Sequence, residues 1–366
     1  MTTPPPPPPV RGVAGALARL VAPAYAWEVA RRNRAFDAGR GVTRLDRPVV
    51  SVGNLTLGGT GKTPMVMTLA RGLLDAGVTP CIAMRGYRAG PEGSDEAREY
   101  AAALPGVPVV VGADRVAGLR ELFASEEGAR VGCVLLDDGF QHRKIARDMD
   151  LVLIDATRRT LDDRVFPAGW LREPVGSLAR ATHVVITRAE SVSEHELRSL
   201  VERVRALSPR ARVGACEHAW TALDVHEPGG SATIQQPVEW LRGRRVLAVC
   251  AIGNPIAFID RVCGAIGAEG HVETLALRDH DAYGAAAMDR VREGVERHTP
   301  EAVITTPKDW TKLAHRERPG VAFVVPRLGL AFHRAGTNGL GVDEVDMDEI
   351  GLIEHVRSLC GTQGAR

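Results

Sequence analysis

Residues 56–64 of this chain (TLGGTGKTP) combine glycines with a lysine and several hydroxyl side chains. Glycines allow backbone N–H groups to converge on phosphate oxygens, as in the Gly-rich loops that bind nucleotides. In such a loop Lys62 would reach the β- and γ-phosphates, and the hydroxyl of Thr63 would bind Mg²⁺. The segment therefore predicts a site for the magnesium complex of a nucleoside triphosphate.

This loop departs from the usual pattern at its first position. The usual loop reads Gly-x-x-x-x-Gly-Lys-[Ser/Thr], whereas the residue five positions before Gly61 is Thr56. The alternative interpretation is a glycine-rich turn that contains a lysine by chance. We favour nucleotide binding because of the elements that flank the loop. The residues predicted to contact the nucleotide are Thr56, Gly58, Gly59, Thr60, Gly61, Lys62, Thr63 and Pro64.

The flanking elements are those that a phosphate-binding loop needs. Residues 48–52 are short, apolar and β-branched, as in a buried strand of a parallel sheet. Residues 65–74 carry apolar side chains at the spacing of one buried helix face. A strand, a loop and a helix in this order place the loop at a helix N-terminus, whose partial positive charge attracts phosphate.

A second motif follows further along the chain. The apolar run 131–136 leads directly into Asp137 and Asp138. A strand that ends in aspartate, downstream of a phosphate-binding loop, is typical of a Mg²⁺ site, because ligands bind at the carboxyl ends of parallel strands. The sequence does not distinguish which of the two aspartates contacts the metal directly.

The composition is that of an ordinary globular protein. The chain has 366 residues, 45% hydrophobic and 25% charged, with a net charge of +1, so no nucleic-acid partner is expected. The six cysteines are scattered and include no Cys-x-x-Cys pair, which favours reduced thiols in a cytoplasmic protein over a zinc site.

The N-terminal region favours a helix beside a membrane or on the protein itself. Residues 4–9 are prolines, residues 12–27 are mostly apolar but interrupted by Arg19 and Pro23, and Arg31, Arg32 and Arg34 follow. The apolar part is too short and interrupted to span a membrane, and its flanks do not fit a signal peptide. A helix lying in the membrane interface and a helix packed on the protein's own surface both fit this pattern.

The order of elements predicts an α/β fold of two domains. Strands alternate with helices over residues 48–215, which indicates a doubly wound parallel sheet of the P-loop NTPase type. The polar stretch 227–236 is the predicted linker to a second, smaller α/β domain. The predicted divisions are a proline leader and a candidate membrane-interface helix at 1–39, a P-loop domain at 40–222 and a C-terminal domain at 237–360. Polar residues at strand ends in both halves suggest a cleft between the domains.

Several motifs, in order, resemble those of the tetraacyldisaccharide 4′-kinases of lipid A synthesis. They are VGNLTLGGTGKTP at 52–64, RGY at 85–87, DDGFQH at 137–142, PAGWLREP at 167–174, DH at 279–280 and TTPKDWTKL at 305–313. The resemblance extends over about residues 12–330 and includes the threonine at the first loop position. It implies an enzyme that uses ATP and Mg²⁺. Such an enzyme phosphorylates the 4′-hydroxyl of a tetraacyldisaccharide 1-phosphate. It acts at the cytoplasmic face of the inner membrane, which tips the interpretation of the N-terminal helix towards peripheral or monotopic membrane association.

The resemblance also implies roles for individual residues. Lys62 would bind the phosphates, and the residues implied to hold Mg²⁺ are Thr63, Asp137, Asp138 and Glu173. Asp95 would be the catalytic base, with His280 orienting or tuning it. Around Asp95 this chain has serine and alanine where the family has glycine and proline.

Two other functions fit parts of the sequence. A GTPase of the metallochaperone type would use the same loop, but its guanine-recognition motif has only an altered counterpart in TRAE at 187–190. A non-catalytic descendant that binds lipid would be expected to have lost at least one site residue, and here all of them are present. The kinase is therefore the preferred interpretation.

Overall fold

The computed structural model describes two compact units of the chain. It covers residues 9–10, 12–57, 60–86, 95–229, 232–252, 255–278, 281–333 and 345–361. The first unit comprises Met1–His218 together with Leu330–Arg366, and the second comprises Ala219–Gly329. The chain therefore leaves the first unit and later returns to it.

Helices and strands alternate through most of both units. The helices are α1 Gly12–Asp37, α2 Lys62–Asp75, α3 Asp95–Ala103, α4 Arg115–Phe123, α5 Glu126–Ala129, α6 Glu194–Leu207, α7 Pro255–Ile266, α8 Ala285–His298, α9 Pro307–Leu313 and α10 Glu349–Gly361. The strands are β1 Val49–Asn54, β2 Thr79–Met84, β3 Val109–Val111, β4 Val131–Asp137, β5 Met149–Asp155, β6 His183–Thr187, β7 Arg212–His226, β8 Thr233–Gln236, β9 Arg245–Cys250, β10 His271–Ala276, β11 Ala302–Thr305 and β12 Ala322–Phe332.

The first unit is built on a parallel sheet with helices on both faces. Its strands lie in the order β7-β6-β5-β1-β4-β2-β3, and adjacent pairs are parallel. Val50 of β1 packs with Met65 of α2 on one face, whereas Val49 packs with Leu119 of α4 on the other. This confirms the predicted doubly wound sheet. Because β1 lies between β4 and β5, the residues that follow β1 lie where such sheets bind ligands.

Helix α10 brings the C-terminal part of the chain back to the first unit. Leu352 and Val356 belong to the same buried cluster as α2, and Gly72 of α2 faces the side chain of Ile353. The predicted C-terminal domain at 237–360 therefore differs from the observed second unit, which ends at Gly329. The difference arises because α10 buries its apolar face on α2.

The second unit has its own parallel strands and cores. Strands β10, β9, β11 and β12 are adjacent in this order and parallel, with α7 and α8 supplying apolar side chains to two buried clusters. Residues 233–236, predicted as part of a linker, instead form β8, which pairs antiparallel with residues 223–226 of β7. The predicted linker was wrong in this part because its polar side chains did not reveal the backbone pairing.

Helix α1 exposes much of its apolar surface. Its most exposed large apolar side chains include Leu20 at 77% and Trp27 at 62%. Towards its C-terminal end it is fixed to the unit, since Arg143 donates to the carbonyl of Asn33 at 3.0 Å and pairs with Asp37 at 2.6 Å. Among the described residues, none of the helices combines the length and apolar character that crossing a membrane requires.

Candidate active site

The loop between β1 and α2 enters the helix through a glycine in the left-handed conformation. Gly61 has φ 87° and ψ 22° and directly precedes Lys62, the first residue of α2. A Cβ atom built on Gly61 would lie 3.0 Å from Nε2 of His218, so both the backbone and this neighbour favour glycine. Gly58 and Gly59, two of the predicted nucleotide ligands, lie outside the described residues. The described part has the tight turn into a helix that a phosphate-binding loop needs.

Buried hydrogen bonds fix the two ends of this loop. The side-chain amide of Asn54 donates to Oγ1 of Thr60 at 3.0 Å, and Oγ1 of Thr187 donates to the carbonyl of Thr60 at 3.1 Å. The backbone carbonyl of Asn54 accepts a hydrogen bond from Nε2 of Gln141 at 2.9 Å. Asn54, Thr60 and Thr187 are all buried, so these bonds are shielded from competing water.

The beginning of the loop pairs with the segment PAGWLREP. The N–H of Arg172 donates to the carbonyl of Leu55 at 2.8 Å. Thr56 forms an isolated antiparallel bridge with Leu171, and both residues are buried. The position at which this loop departs from the usual glycine is therefore held by backbone pairing. The same pairing brings Arg172 to the loop.

Asp138, directly after β4, contacts two cations. Its Oδ1 lies 3.5 Å from Nζ of Lys62, and its Oδ2 accepts a hydrogen bond from Arg172 at 2.6 Å. Burial alone would raise the pKa of Asp138, but Lys62 and Arg172 more than offset this and hold its pKa below the usual range. The carboxylate is therefore ionised, as a metal ligand must be.

Asp137, the last residue of β4, is held by a tyrosine. The hydroxyl of Tyr100 donates to Oδ2 of Asp137 at 3.0 Å and also contacts the side chain of Thr63. Burial, together with the charge of Asp137, raises the pKa of Tyr100, which therefore stays protonated. Thr63 and Asp137, both predicted to bind Mg²⁺, are thus connected through one buried phenol.

Arg115 is a buried cation near the two aspartates. It lies at the start of α4 and is only 3% exposed. Burial lowers the pKa of its guanidinium, whereas Asp138 and Asp137 favour the charged form. Its Nη1 atom has no hydrogen-bond partner among the described residues. A buried cation in this position is suited to an anionic ligand.

His142 is neutral at this site. Burial, followed by the positive charges of Arg115, Arg147 and Lys144, lowers its pKa from 6.5 to about 4. Its Nε2 atom is buried and makes no hydrogen bond within the described part of the chain. At neutral pH this side chain can accept or donate a hydrogen bond without carrying charge.

Glu173 lies in a buried ion pair. Its carboxylate is 1% exposed and contacts Arg180 at 3.0 Å, and it accepts a hydrogen bond from Nδ2 of Asn33 at 2.7 Å. Burial of a carboxylate requires such partners, because an isolated buried charge is highly unfavourable. The structure thus places Glu173 in contact with α1 through Asn33, and its part in binding Mg²⁺ stays a prediction.

The side chains of the predicted dyad lie outside the described part of the chain. His280 lies outside the described residues, and for Asp95 only the backbone, at the start of α3, is described. No group of three or more histidine, cysteine, aspartate or glutamate side chains suited to a metal occurs in the described ranges. A P-loop magnesium site does not need one, since a hydroxyl, one or two carboxylates and the substrate phosphates complete it.

Fold and site together define a class of protein. In a parallel sheet, the central strand leads through a left-handed glycine into a helix that begins Lys-Thr, beside a neighbouring strand that ends Asp-Asp. Lysine, hydroxyl and carboxylate groups gathered in this way provide the charge neutralisation and positioning that phosphoryl transfer requires. The chain is therefore a phosphotransferase of the P-loop class.

Comparisons with known proteins identify the family. A family model described as Tetraacyldisaccharide-1-P 4′-kinase matches residues 15–337. A tetraacyldisaccharide 4′-kinase of Geobacter sulfurreducens is 36% identical over 83% of this chain and 88% of its own, and one of Geobacter metallireducens is 34% identical over 86% and 92%. This chain is also similar to a crystal structure of LpxK from Aquifex aeolicus in complex with ATP, with 25% sequence identity and a TM-score of 0.63. The match covers 95% of this chain and 99% of the LpxK chain. The chain belongs to the tetraacyldisaccharide 4′-kinase family.

Proposed function

We propose that this protein transfers the γ-phosphate of ATP to the 4′-hydroxyl of a tetraacyldisaccharide 1-phosphate. The observation that carries the proposal is the contact of Lys62 with Asp138, where α2 begins and β4 ends. A phosphate-binding lysine beside an acidic strand end is what phosphoryl transfer from a nucleotide needs on this fold. The acceptor follows from the family, whose members are named for this substrate.

The residues at the loop fit the magnesium complex of ATP. Thr63, Asp137 and Asp138 offer oxygen ligands of the type that Mg²⁺ prefers, and Gly61 makes the turn into the helix N-terminus, where phosphate is favoured. Bound Mg²⁺ would neutralise charge on the β- and γ-phosphates. For Glu173 to contact the metal, its carboxylate would have to give up a contact with Arg180 or Asn33.

Two arginines add positive charge next to the phosphate loop. Arg172 is oriented by Asp138 at 2.6 Å, and Arg115 is buried close enough to Asp137 and Asp138 to be attracted by both. In phosphoryl transfer, cations fixed before reaction stabilise the charge that spreads over the transferred group. We assign both arginines this role.

The base is assigned from the family resemblance. Asp95 would accept the proton of the 4′-hydroxyl, and His280 would orient or tune this carboxylate. A carboxylate beside an imidazolium can accept a proton while it stays ionised in the resting enzyme. The support for this pair is the sequence motif alone.

The acylated substrate suggests that the protein acts at a membrane surface. Leu17, Leu20, Val21 and Trp27 of α1 are exposed apolar side chains, and Arg31, Arg32 and Arg34 follow on the same helix. An apolar face with basic residues suits the interface of an anionic leaflet. We therefore place the protein at the cytoplasmic face of the inner membrane, in peripheral or monotopic association.

The proposal is tested by phosphate transfer from labelled ATP to purified tetraacyldisaccharide 1-phosphate in non-ionic detergent micelles. We expect transfer by the wild type, a preference for ATP over GTP, and a large loss in Asp95→Ala. Undiminished activity of Asp95→Ala would move the base elsewhere. A folded, ATP-binding wild type that transfers no phosphate would refute the proposed reaction, and a strong GTP preference would favour a GTPase instead.

A further inference from the structure

Asp138 has a backbone conformation that is unusual for a residue with a side chain. Its φ is 51°, in the left-handed region, where the Cβ atom crowds the backbone. Apart from glycines, positive φ values occur at only four positions of the described chain. Such a conformation persists where the surrounding structure holds it, and examples cluster at active sites. The contacts that hold the backbone of Asp138 therefore bear on its function.

The residue after Asp138 is held through its backbone N–H group. The N–H of Gly139 donates to the carbonyl of Val52 in β1 at 3.0 Å. A Cβ atom built on Gly53 would lie 2.5 Å from the Cβ atom of Phe140, so the loop between β4 and β5 lies directly against β1. This side of the β4–β5 loop is therefore fixed to the strand that leads into the phosphate loop.

The carbonyl groups of the β4–β5 loop gather around one guanidinium. Residues 139–142 lie in neither a helix nor a strand, so their carbonyls need partners other than a regular backbone ladder. The Nη atoms of Arg147 donate to four carbonyls, which belong to Gly139 at 3.1 Å, Phe140 at 2.9 Å, His142 at 3.4 Å and Ile145 at 3.4 Å. Arg147 thereby fixes the path of the loop that follows Asp138.

Arg147 is itself fixed to the sheet. Its Nε atom donates to the carboxylate of Asp150 in β5 at 3.0 Å, and both side chains are 11% exposed. Asp150 lies opposite Ser51 of β1 in the parallel pairing of these two strands. A guanidinium suits this position because its planar fork holds five N–H donors in fixed directions, whereas an ammonium group is a compact point charge. The side chain therefore connects the sheet with the carbonyl side of the loop.

We propose that Arg147 is a positioning residue that holds the carboxylate of Asp138 in place for Mg²⁺. Its hydrogen bonds within the described chain go to the loop and to Asp150, so it acts on Asp138 through the backbone. Gly139 is held at its N–H by β1 and at its carbonyl by Arg147, which keeps the left-handed turn at Asp138 from relaxing. Without the guanidinium, the turn would relax and the carboxylate would leave its place beside Lys62. The inference rests on the proposed function, because metal-dependent phosphoryl transfer is what requires a fixed carboxylate here.

The test measures metal binding directly, with Mn²⁺ in place of Mg²⁺ and a non-hydrolysable ATP analogue. With the enzyme in excess over the analogue, the electron paramagnetic resonance signal of free Mn²⁺ gives the Kd for the metal. We expect Arg147→Ala to raise this Kd about 10- to 100-fold, the range for groups that orient metal ligands. The affinity for the analogue in EDTA, where no metal is bound, should stay at the wild-type value.

Arg143→Ala is the matched control. Arg143 lies in the same loop and its side chain is 13% exposed, but its guanidinium contacts Asn33 and Asp37 of α1. Both variants should unfold at a lower temperature than the wild type, and only Arg147→Ala should bind Mn²⁺ more weakly. Equal weakening in the two variants would show a general loosening of the loop and overturn the assignment. Wild-type Mn²⁺ affinity in a folded Arg147→Ala would overturn it as well.

Two further arms do not depend on the folding of Arg147→Ala alone. Arg147→Lys keeps a positive charge near Asp150 but cannot bind four carbonyls at once, so it should fold and still bind Mn²⁺ more weakly. Ethylguanidinium, at concentrations that leave the wild type folded, should restore Mn²⁺ binding to Arg147→Ala, whereas tetramethylammonium, which has no N–H group, should not. Wild-type Mn²⁺ affinity in Arg147→Lys, or equal effects of the two added cations, would contradict the role of the guanidinium.

Steady-state transfer separates this inference from the proposed reaction. Arg147→Ala should show a lower kcat with an unchanged KM for the acylated disaccharide, and excess Mg²⁺ should restore part of the kcat. A wild type that binds Mn²⁺ with the analogue but transfers no phosphate would refute the proposed reaction and leave the metal measurements to decide the role of Arg147. A wild type that binds no Mn²⁺ with the analogue would overturn the inference itself.

Discussion

The Nζ atom of Lys62 lies 3.5 Å from Oδ1 of Asp138, and Arg172 donates to the other oxygen of the same carboxylate at 2.6 Å. One side chain thus orients two cations, one at the N-terminus of α2 and one in the segment that pairs with the loop. Cations held in place before a reaction need little reorganisation when charge develops, which is the basis of electrostatic catalysis. Asp138 must therefore be ionised to orient Lys62 and Arg172 in this way.

Replacing Lys62 tests the first of these cations. We expect Lys62→Ala to lower kcat by about 10²- to 10³-fold, the usual cost of removing one preorganised donor. The measurement is steady-state transfer from labelled ATP, with Lys144→Ala, an exposed lysine of the same unit, as the control. Full activity of Lys62→Ala would contradict the assignment of the phosphate loop.

Replacing Asp138 tests the metal site. Asp138→Asn keeps the shape of the side chain but removes its charge, so we expect the Mg²⁺ concentration for half-maximal activity to rise at least ~10-fold, since the loss of even indirect metal contacts costs this much. Asp75→Asn, at the exposed C-terminal end of α2, is the control. An unchanged Mg²⁺ requirement would assign the metal to Asp137 alone.

The left-handed conformation of Gly61 predicts that an alanine at this position weakens ATP binding. An alanine at φ 87° costs about 1–2 kcal/mol of conformational energy, and its Cβ would lie 3.0 Å from His218. Gly77, with φ 78° and no atom within 4 Å of a Cβ built there, is the matched control. Both alanine variants should lose stability in urea unfolding, but only Gly61→Ala should bind ATP more weakly. Equal ATP affinities would argue against phosphate contact at the loop.

The ion pair of Glu173 and Arg180 predicts a stability effect that a second substitution reverses. Arg180→Ala leaves a carboxylate that is 1% exposed without its charged partner, which should cost about 3–5 kcal/mol of unfolding free energy. Arg180→Ala/Glu173→Leu removes the stranded charge and should recover much of this loss. Additive losses in urea unfolding would show that the two side chains are not energetically coupled.

The burial of His183 predicts that the protein loses stability in acid. It is 3% exposed, and burial, with smaller contributions from His355 and Arg212, lowers its pKa from 6.5 to about 4. The unfolded chain therefore binds a proton at a pH where the folded chain does not, so stability is full above pH 6.5 and falls as the pH drops towards 4.

By pH 4.5 this one histidine should account for about 2–3 kcal/mol of the lost unfolding free energy. Urea unfolding at pH 7.5 and 4.5 should show a smaller difference for His183→Gln than for the wild type. His195→Gln, on the partly exposed first turn of α6, should keep the wild-type difference. If His183→Gln keeps it too, another group must be responsible.

The local elements of the site could be predicted from the sequence because their signals are local. Apolar, β-branched runs and glycine turns led to β1, the loop and α2, and the apolar run 131–136 led to β4. The position of Asp137 and Asp138 near the phosphate loop followed from the rule that ligands bind at the carboxyl ends of parallel strands. These predictions needed only the residues that flank each motif along the chain.

Contacts between distant segments could not be read in this way. The burial of Arg115 depends on its packing beside Asp137 and Asp138, and the return of α10 depends on a face of α2. The sequence around Arg115 does not indicate these aspartates, and the sequence of α10 does not indicate α2. The link between Asn33 and Glu173, 140 positions apart, likewise appears only in the folded chain.

The return of the chain to its first unit makes the second unit an insertion. Residues 219–329 begin in β7 and end in β12, two strands that are neighbours in the sheet, and Thr221 and Gly329 lie in contact. A short turn could therefore replace the whole segment without moving the strand ends that it joins. Truncation from the C-terminus, by contrast, would remove α10 from α2 before it reached the second unit. The first unit alone would therefore be obtained by deleting the internal segment 219–329 and not by truncating the chain.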